Sequence, residues 1–445
     1  MGKARWIFAA GRGRLLALAL AVTISGCGLF RPPLPDTIPV HHAAATEGFL
    51  HAGAAAVEIT PDENLYMAGY DPHKRAIGVH DPLYARAVVL DRGGFRTALV
   101  VLDVIGLQGP DVAAIREGLP ELPPEHVIVA ATHTHGAPDT MGLWGWPPFI
   151  GGKDDAYMKK VIAGARAAIL NASDALQPAV MASAAVPFDP EGILYNLRRR
   201  GFEDHRLTGV HIRAQEGGTI ATVVEIGCHP EVLGPENRWI TADYAHGVVT
   251  ELERVLGGTG VYVSGALGGL VTPDVPRSDD WGEGGTFEEA EALGKRIAEI
   301  GIGMVRGFDR YEISPRLEVR HVPLYIENEN FLYDLMRFTG VLDRTMYRGG
   351  YLRTEVNLWR WGALHLATVP GEITPDLGLR IKALSGDEPM LLVGLGNDEL
   401  GYLLPEWDYD HPMYSYERTL CPNRNAGVRV LERLRDLSLL EELSP

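Results

Sequence analysis

The segment VIVAATHTHGAPD, residues 127–139, sets His133 and His135 two positions apart where an apolar run gives way to a Gly/Pro turn. Side chains i and i+2 of an extended segment share a face, so the spacing predicts two imidazoles aimed at one spot. Such a pair suits a metal grip, and it equally suits a hydrogen-bonded polar pair, so the missing partners must come from elsewhere in the chain. Three further segments end an apolar run on a candidate ligand: His229 in EIGCHPEVLG, Glu372 in ATVPGEITPDLG and Tyr402 in GLGNDELGYLLPEWDY. Two histidines and a carboxylate make up many catalytic zinc centres, which keep a position open for a water made more acidic by the metal. The chemistry this set points to is hydrolysis. Spacing alone has little force here, because the residues are far apart and no compact signature such as HExxH is present.

Strands must aim these groups. RTALVVLDVIGL, VIVAATHTH, TIATVVEIGCHP, GVYVSGALGG, ALHLATVPGE and MLLVGLGND are apolar, β-branched runs that end in Gly, Pro, His or Asp and read as buried strands. Helical stretches fall between several of them: DDAYMKKVIAGARAAIL, DYAHGVVTELERVL and TFEEAEALGKRIAEIGIGMV, the last opening on a Thr286/Glu289 capping-box pattern. The fold class predicted is α/β, with mixed, largely buried β-sheets flanked by helices. With 445 residues, 46% hydrophobic and 22% charged, the chain can bury one large core or two adjoining ones. A single domain is predicted over residues 53–445, and no solenoid period interrupts it.

A formal charge of −17 argues against a nucleic-acid partner, since phosphate contacts need clustered Lys and Arg. The N-terminus carries Lys3, Arg5, Arg12 and Arg14, followed by LLALALAVTIS, an apolar run too short to span a bilayer. Residues 1–27 read as a signal peptide closing on Ile24-Ser25-Gly26-Cys27, which is similar to a bacterial lipobox. Cys27 is then the expected lipidation site and first mature residue, holding the chain at a membrane of the cell envelope, with Gly28 favouring the outer one. Residues 28–52, Pro-rich at first, read as a flexible spacer in which His41 and His42 are solvated. Only Cys228 and Cys421 then remain, enough for one disulfide and not for a framework.

The ordered series GAAAVEITP, MAGY, DPLYARAVVLD, LVVLDVIGL, ATHTHGAPD, GCHPEVLG, ITADYAHGVVTELE, VPGEITPDLG and GLGNDELGYLLPEWDY resembles the catalytic domain of the neutral, non-lysosomal ceramidases. The resemblance runs from Gly53 to about Tyr409. It implies Zn2+ held by His133, His229, Glu372 and Tyr402, a set not independent of the strand-end reading. It implies a catalytic or substrate-contacting role for His135, whose ring, close to a metal but not needed as ligand, suits proton shuttling. LYNLRRRG is similar to the family's Asn-Arg segment, where an Arg contacts the substrate's polar head; Arg198 and Arg199 both fit that place. The chain departs from the family at GALGGLVTPDVP, where Leu270 replaces an Asp and Thr272 replaces a Ser proposed as nucleophile. A Thr attacks only if a base activates it, so water is the expected nucleophile and Thr272 a positioning or substrate-contact residue. The β-sandwich domain of longer ceramidases is expected to have no counterpart here.

Asp103 and Asp243 are candidates to support a ligand histidine, Asp243 equally as a helix N-cap. His246 is expected to pack or be solvated, and Glu231 to miss the site because Pro230 ends the strand. Trp144, Trp146 and Phe149 in MGLWGWPPFIGG suit an acyl-chain slot, a membrane contact or a local loop core. The expected function is zinc-dependent cleavage of a lipid amide, ceramide foremost. The alternatives are a TIM-barrel amidohydrolase, an amidase for another N-acyl amine, and a non-catalytic lipid-binding envelope lipoprotein. Oligomeric state is not legible. If Cys27 anchors the chain, Cys27→Ser moves the protein from the membrane to the soluble envelope fraction on fractionation; unchanged membrane retention contradicts the anchor.

Overall fold

Alternation with a period of two organises the strand Tyr84–Arg92: Val88 and Leu90 face one core, Ala87 and Val89 another, and all four are fully buried. The next two strands in the sheet, Phe95–Leu102 and Val127–Ala131, do the same, which is why these runs read as continuously apolar. The computed structural model describes residues 38–440 apart from 46, 63, 120, 146–150, 276–283, 343–345 and 348–349. Cys27, Trp146 and Phe149 therefore lie outside the described residues.

Eight strands form the first sheet, in the spatial order 259–264, 219–226, 206–214, 177–187, 50–58, 84–92, 95–102, 127–131. The second sheet runs 41–45, 317–327, 351–361, 364–368, 390–393, with Met346–Tyr347 beside 351–361. The two stack face to face: Leu90, Leu99, Ile128 and Val223 of the first share a core with Val319, Trp359, Trp361 and Leu391 of the second. The helix Asp155–Asp174 covers the outer face of the first sheet over one half, and Tyr244–Leu256 with Phe287–Arg306 covers the other. Pro375–Lys382 and Ala426–Leu439 cover the outer face of the second. The result is a four-layer α/β/β/α arrangement of mixed sheets, as the α/β reading predicts, and its open, stacked sheets exclude the TIM-barrel alternative. No helix among the described residues is long and apolar enough to cross a membrane.

The spacer reading of residues 28–52 is corrected over its last part. His41–Ala45 pairs antiparallel with Leu317–His321, and Leu50 opens the strand Leu50–Glu58. His41 Nε2 lies 3.2 Å from His126 Nε2, and His42 meets the buried Glu318 at 2.7 Å, so neither is merely solvated. An edge strand of five residues draws its order from the partner strand, which leaves little local signal.

Three strand pairs within these sheets are parallel: 95–102 with 127–131, 219–226 with 259–264, and 364–368 with 390–393. Parallel neighbours end together, and clefts at such carboxyl ends are where α/β sheets place ligands. The helix Phe287–Arg306 starts on the predicted box, with Thr286 Oγ1 accepting from Glu289 N and Glu289 Oε2 accepting from Thr286 N. Thr286→Ala is expected to destabilise the fold by about 1 kcal/mol, read as a lower urea midpoint at unchanged slope.

Candidate metal centre and active site

The strand Val127–Ala131 stops two residues short of His133, which takes a left-handed backbone with φ of 66°. The two histidines thus converge through a turn rather than through strand alternation, their ring centroids 5.2 Å apart. His133 Nδ1 donates to the Ile105 carbonyl at 2.6 Å, on the segment leaving the adjacent strand Phe95–Leu102. His229, beyond the end of Thr219–Ile226, donates both its backbone N–H and its Nδ1 to the Val271 carbonyl, at 2.9 and 2.8 Å. In each case a backbone carbonyl fixes the ring and directs Nε2 inward.

Glu372 follows the strand 364–368 of the second sheet, on a separate short ladder. The short strand Glu372–Ile373 pairs in parallel with Tyr402–Leu403, which puts Glu372 beside Tyr402. The carboxylate lies 3.2 Å from His229 Nε2 and 3.6 Å from His133 Nε2, and Tyr402 hydrogen-bonds to it. Ligand-capable nitrogens of His133, His135 and His229 all lie within 4.8 Å of one another. All of the residues expected as ligands are therefore brought together, with His135 alongside.

Burial lowers the pKa of His133, holding it neutral and ready to coordinate. Burial pulls His229 down most strongly, but its hydrogen bond to Glu372, the charges of Glu231 and Glu372 and its bond to the Val271 carbonyl together outweigh this and leave it above its ordinary value. Burial alone would raise Glu372; the neighbouring His133 and the hydrogen bonds from His229 and Tyr402 hold it below the usual carboxylate range. Burial and the charge of Glu372 push the Tyr402 phenol well above its ordinary value. Two inward imidazole nitrogens, an ionised carboxylate and a phenol oxygen fit a zinc ion in donor type and in the locked orientation of the rings.

His135 lines the same pocket against Tyr70, their rings edge to face at 4.9 Å. The approach depends on Gly69, where a Cβ would lie 2.6 Å from the His135 ring and φ is +107°. Glu231, expected to miss the site, instead lies under His135: the chain turns at Pro230 and returns its carboxylate to within 3.5 Å of His135 Nδ1. Thr272 is fully buried and donates to Glu231 Oε1 at 2.7 Å. Sequence reasoning missed Glu231 and Tyr70; the signal for them was an acid and a phenol inside the short motifs GCHPEVLG and MAGY.

The strand Val271–Pro273 pairs with Leu194–Asn196, which carries the Asn-Arg segment to the site. This separates the two arginines. Arg198 donates to the fully buried Glu417 at 2.7 Å, next to Tyr416, whose ring lies 5.8 Å from that of Tyr402. Arg199 turns outward to Asp408 at 3.4 Å and stacks over Phe202. Tyr416 and Glu417 also went unrecognised in the sequence.

Above the centre, Ile105, Met141, Leu143, Trp144, Met336, Leu342, Leu400 and Leu420 wall an apolar pocket whose floor is His133, His135, Glu372 and Tyr402. Trp144 donates its indole N–H to the Tyr70 carbonyl at 2.7 Å, and Asp139 accepts from the backbone of Met141, Gly142 and Trp144. Asp243 caps the helix Tyr244–Leu256 and also accepts from Val232 and Leu233, bracing the loop after His229, while burial raises its pKa to about 6. Asp103 accepts from the Tyr84 N–H, and His246 lies 3.5 Å from Asp81; neither supports a ligand histidine directly. Cys228 and Cys421 are buried and not joined to each other, so the one possible disulfide is not formed.

The fold is that of the neutral ceramidases. Similar solved structures include the neutral ceramidase from Pseudomonas aeruginosa, with a TM-score of 0.74 at 16% identity over 90% of this chain and 75% of that one. A ceramidase complexed with C2 gives a TM-score of 0.73 at 17% identity, over 90% and 76%. No protein-family model and no curated protein matches the sequence. If the centre holds zinc, adding the ion to metal-free protein raises its melting temperature, by about 2.7 kcal/mol of stability at a hundredfold excess over Kd. His229→Ala is expected to abolish that shift in a thermal-denaturation scan.

Proposed function

We propose that this chain is a zinc-dependent amide hydrolase whose substrates are N-acyl sphingoid lipids of the ceramide class. The observation that carries the reading is the meeting of His133, Glu372 and Tyr402 on the floor of an apolar pocket, with His135 beside them and His229 against Glu372 from behind. The likeness to ceramidases supports the choice of a lipid amide. His133, His229, Glu372 and Tyr402 would hold zinc, which when bound would supply Lewis acidity towards an amide carbonyl and acidify a water.

His135 takes a proton from that water and delivers it to the amide nitrogen as the C–N bond breaks, because an unprotonated amide anion is a very poor leaving group. Oxygen and one hydrogen go to the acyl carbon, and the shuttled proton to the amine. Arg198, paired with Glu417 beside the pocket residue Tyr416, is assigned to the substrate's polar head in preference to Arg199, and the walls from Ile105 to Leu420 exclude water and take the acyl chain. Lipidation at Cys27 completes the proposal: tethering at the envelope membrane raises the effective concentration of a water-insoluble substrate.

A panel of N-acyl amides offered in detergent to the zinc-loaded protein tests this. Release of fatty acid and sphingoid base from N-acylsphingosine is expected. Since losing a residue that merely supports a ligand costs about 10- to 100-fold, His133→Ala should lose at least about 100-fold in kcat/KM. Full zinc content with no turnover of any panel member overturns the hydrolase and leaves a lipid-binding protein. Turnover confined to other N-acyl amines overturns the sphingolipid assignment.

A further inference from the structure

The histidines of the site do not share one kind of partner. His133 and His229 donate Nδ1–H to backbone carbonyls of Ile105 and Val271. His135 Nδ1 instead faces the carboxylate of Glu231 at 3.5 Å. That carboxylate is held on both oxygens: Thr272 donates to Oε1 at 2.7 Å and the Tyr70 hydroxyl to Oε2 at 3.1 Å. His135 is boxed in further by the Tyr70 ring and by its own backbone N–H, which donates to the Pro230 carbonyl at 3.1 Å. Glu231, Thr272 and the His135 side chain are all at least nearly buried, so water competes little for these contacts.

We propose that Glu231 is the positioning residue of His135, and that Thr272 and Tyr70 serve to hold Glu231. Facing Nδ1 from 3.5 Å, the negative carboxylate favours the tautomer with the proton on Nδ1, so that Nε2, on the far side of the ring, is the bare nitrogen that accepts a proton. A carbonyl gives a ligand histidine its orientation; a carboxylate gives a proton carrier its orientation and a counter-charge while the proton is aboard. The Thr272 hydroxyl, its hydrogen committed to Glu231, is part of this support and not an attacking group. This assignment rests on the hydrolase reading for its catalytic consequence, but the tautomer of His135 can be read without turnover.

The test uses the full chain with 15N-labelled histidine, the His135 resonances being assigned by their loss in His135→Ala. In metal-free wild-type protein the imidazole should show Nδ1–H and a bare Nε2, and Glu231→Gln should shift or mix that state while leaving the signals of His133 and His229 in place. With zinc bound, Glu231→Gln is expected to lower kcat by about 10- to 100-fold, as loss of a supporting partner does, with KM changed less than about twofold. Both Glu231→Gln and His135→Ala should retain one zinc per chain, and Thr272→Val, which loosens Glu231 without removing it, should lower kcat by a smaller factor than Glu231→Gln. Tyr70→Phe provides a second loosening variant with the same expected order should Glu231→Gln fold poorly. An unchanged His135 tautomer in Glu231→Gln overturns the proposal, as does an acyl ester trapped on Thr272, or loss of zinc in His135→Ala. Absence of turnover in every form, with the tautomer shift present, overturns the hydrolase reading and leaves the positioning of His135 standing.

Discussion

The buried carboxylate of Glu372 is the contact on which the rest of the site depends. It follows a strand of the second sheet, whereas the imidazoles that meet it, His133 and His229, follow strands of the first. An uncompensated charge in such a place costs several kcal/mol, and removing one member of a buried pair typically costs about 3–5 kcal/mol. The stacking of the sheets and the chemistry of the centre are therefore joined by one interaction. The apolar core beneath it, with Trp359 and Trp361 between the sheets, sets the separation at which the contact closes.

Topology explains why ligands so distant in sequence come to one point. Each follows a strand that belongs to a parallel pair, and each pair delivers two loops to the same end of the fold. One loop of a pair carries a side chain while the other supplies support. Ile105 follows the neighbour of the His133 strand and orients that ring by its carbonyl; Val271 follows the neighbour of the His229 strand and does likewise; Glu372 and Tyr402 follow the third pair. The division lets backbone groups, which substitution does not alter, hold the ligand rings.

That arrangement also decides what was legible in the sequence. The six apolar runs read as strands are strands, because buried parallel neighbours need unbroken β-branched sequence on both faces. The antiparallel strands Leu317–Glu327 and Tyr351–Trp361 escaped notice because buried ion pairs interrupt their apolar pattern: Glu318 with Arg320, and Glu355 with Arg116 and His321. His41–Ala45 had no signal of its own. The candidate residues that the structure brings together were read from strand ends and from the resemblance, whereas Glu231 was missed for a local reason. The end of a strand at Pro230 was equated with the end of the site, although a turn can return the next side chain to the same place. The different surroundings of Arg198 and Arg199 follow from the ladder between 194–196 and 271–273, a pairing no single segment announces.

The departures at Leu270 and Thr272 take on a physical sense in this light. Leu270 has a φ of 58°, a left-handed conformation that costs a bulky residue about 1–2 kcal/mol relative to its preferred region. The turn persists because its backbone is bound: the Leu270 carbonyl accepts from Leu197 N, Val271 N donates to the Leu267 carbonyl, and the Val271 carbonyl accepts twice from His229. An Asp tolerates that conformation more readily than a Leu, so its replacement removes local ease without removing any of these bonds. The contribution of the segment to the centre is made by main-chain carbonyls and by one hydroxyl on Glu231. Exchange of its side chains is therefore compatible with the observed meeting of His133, His229, Glu372 and Tyr402.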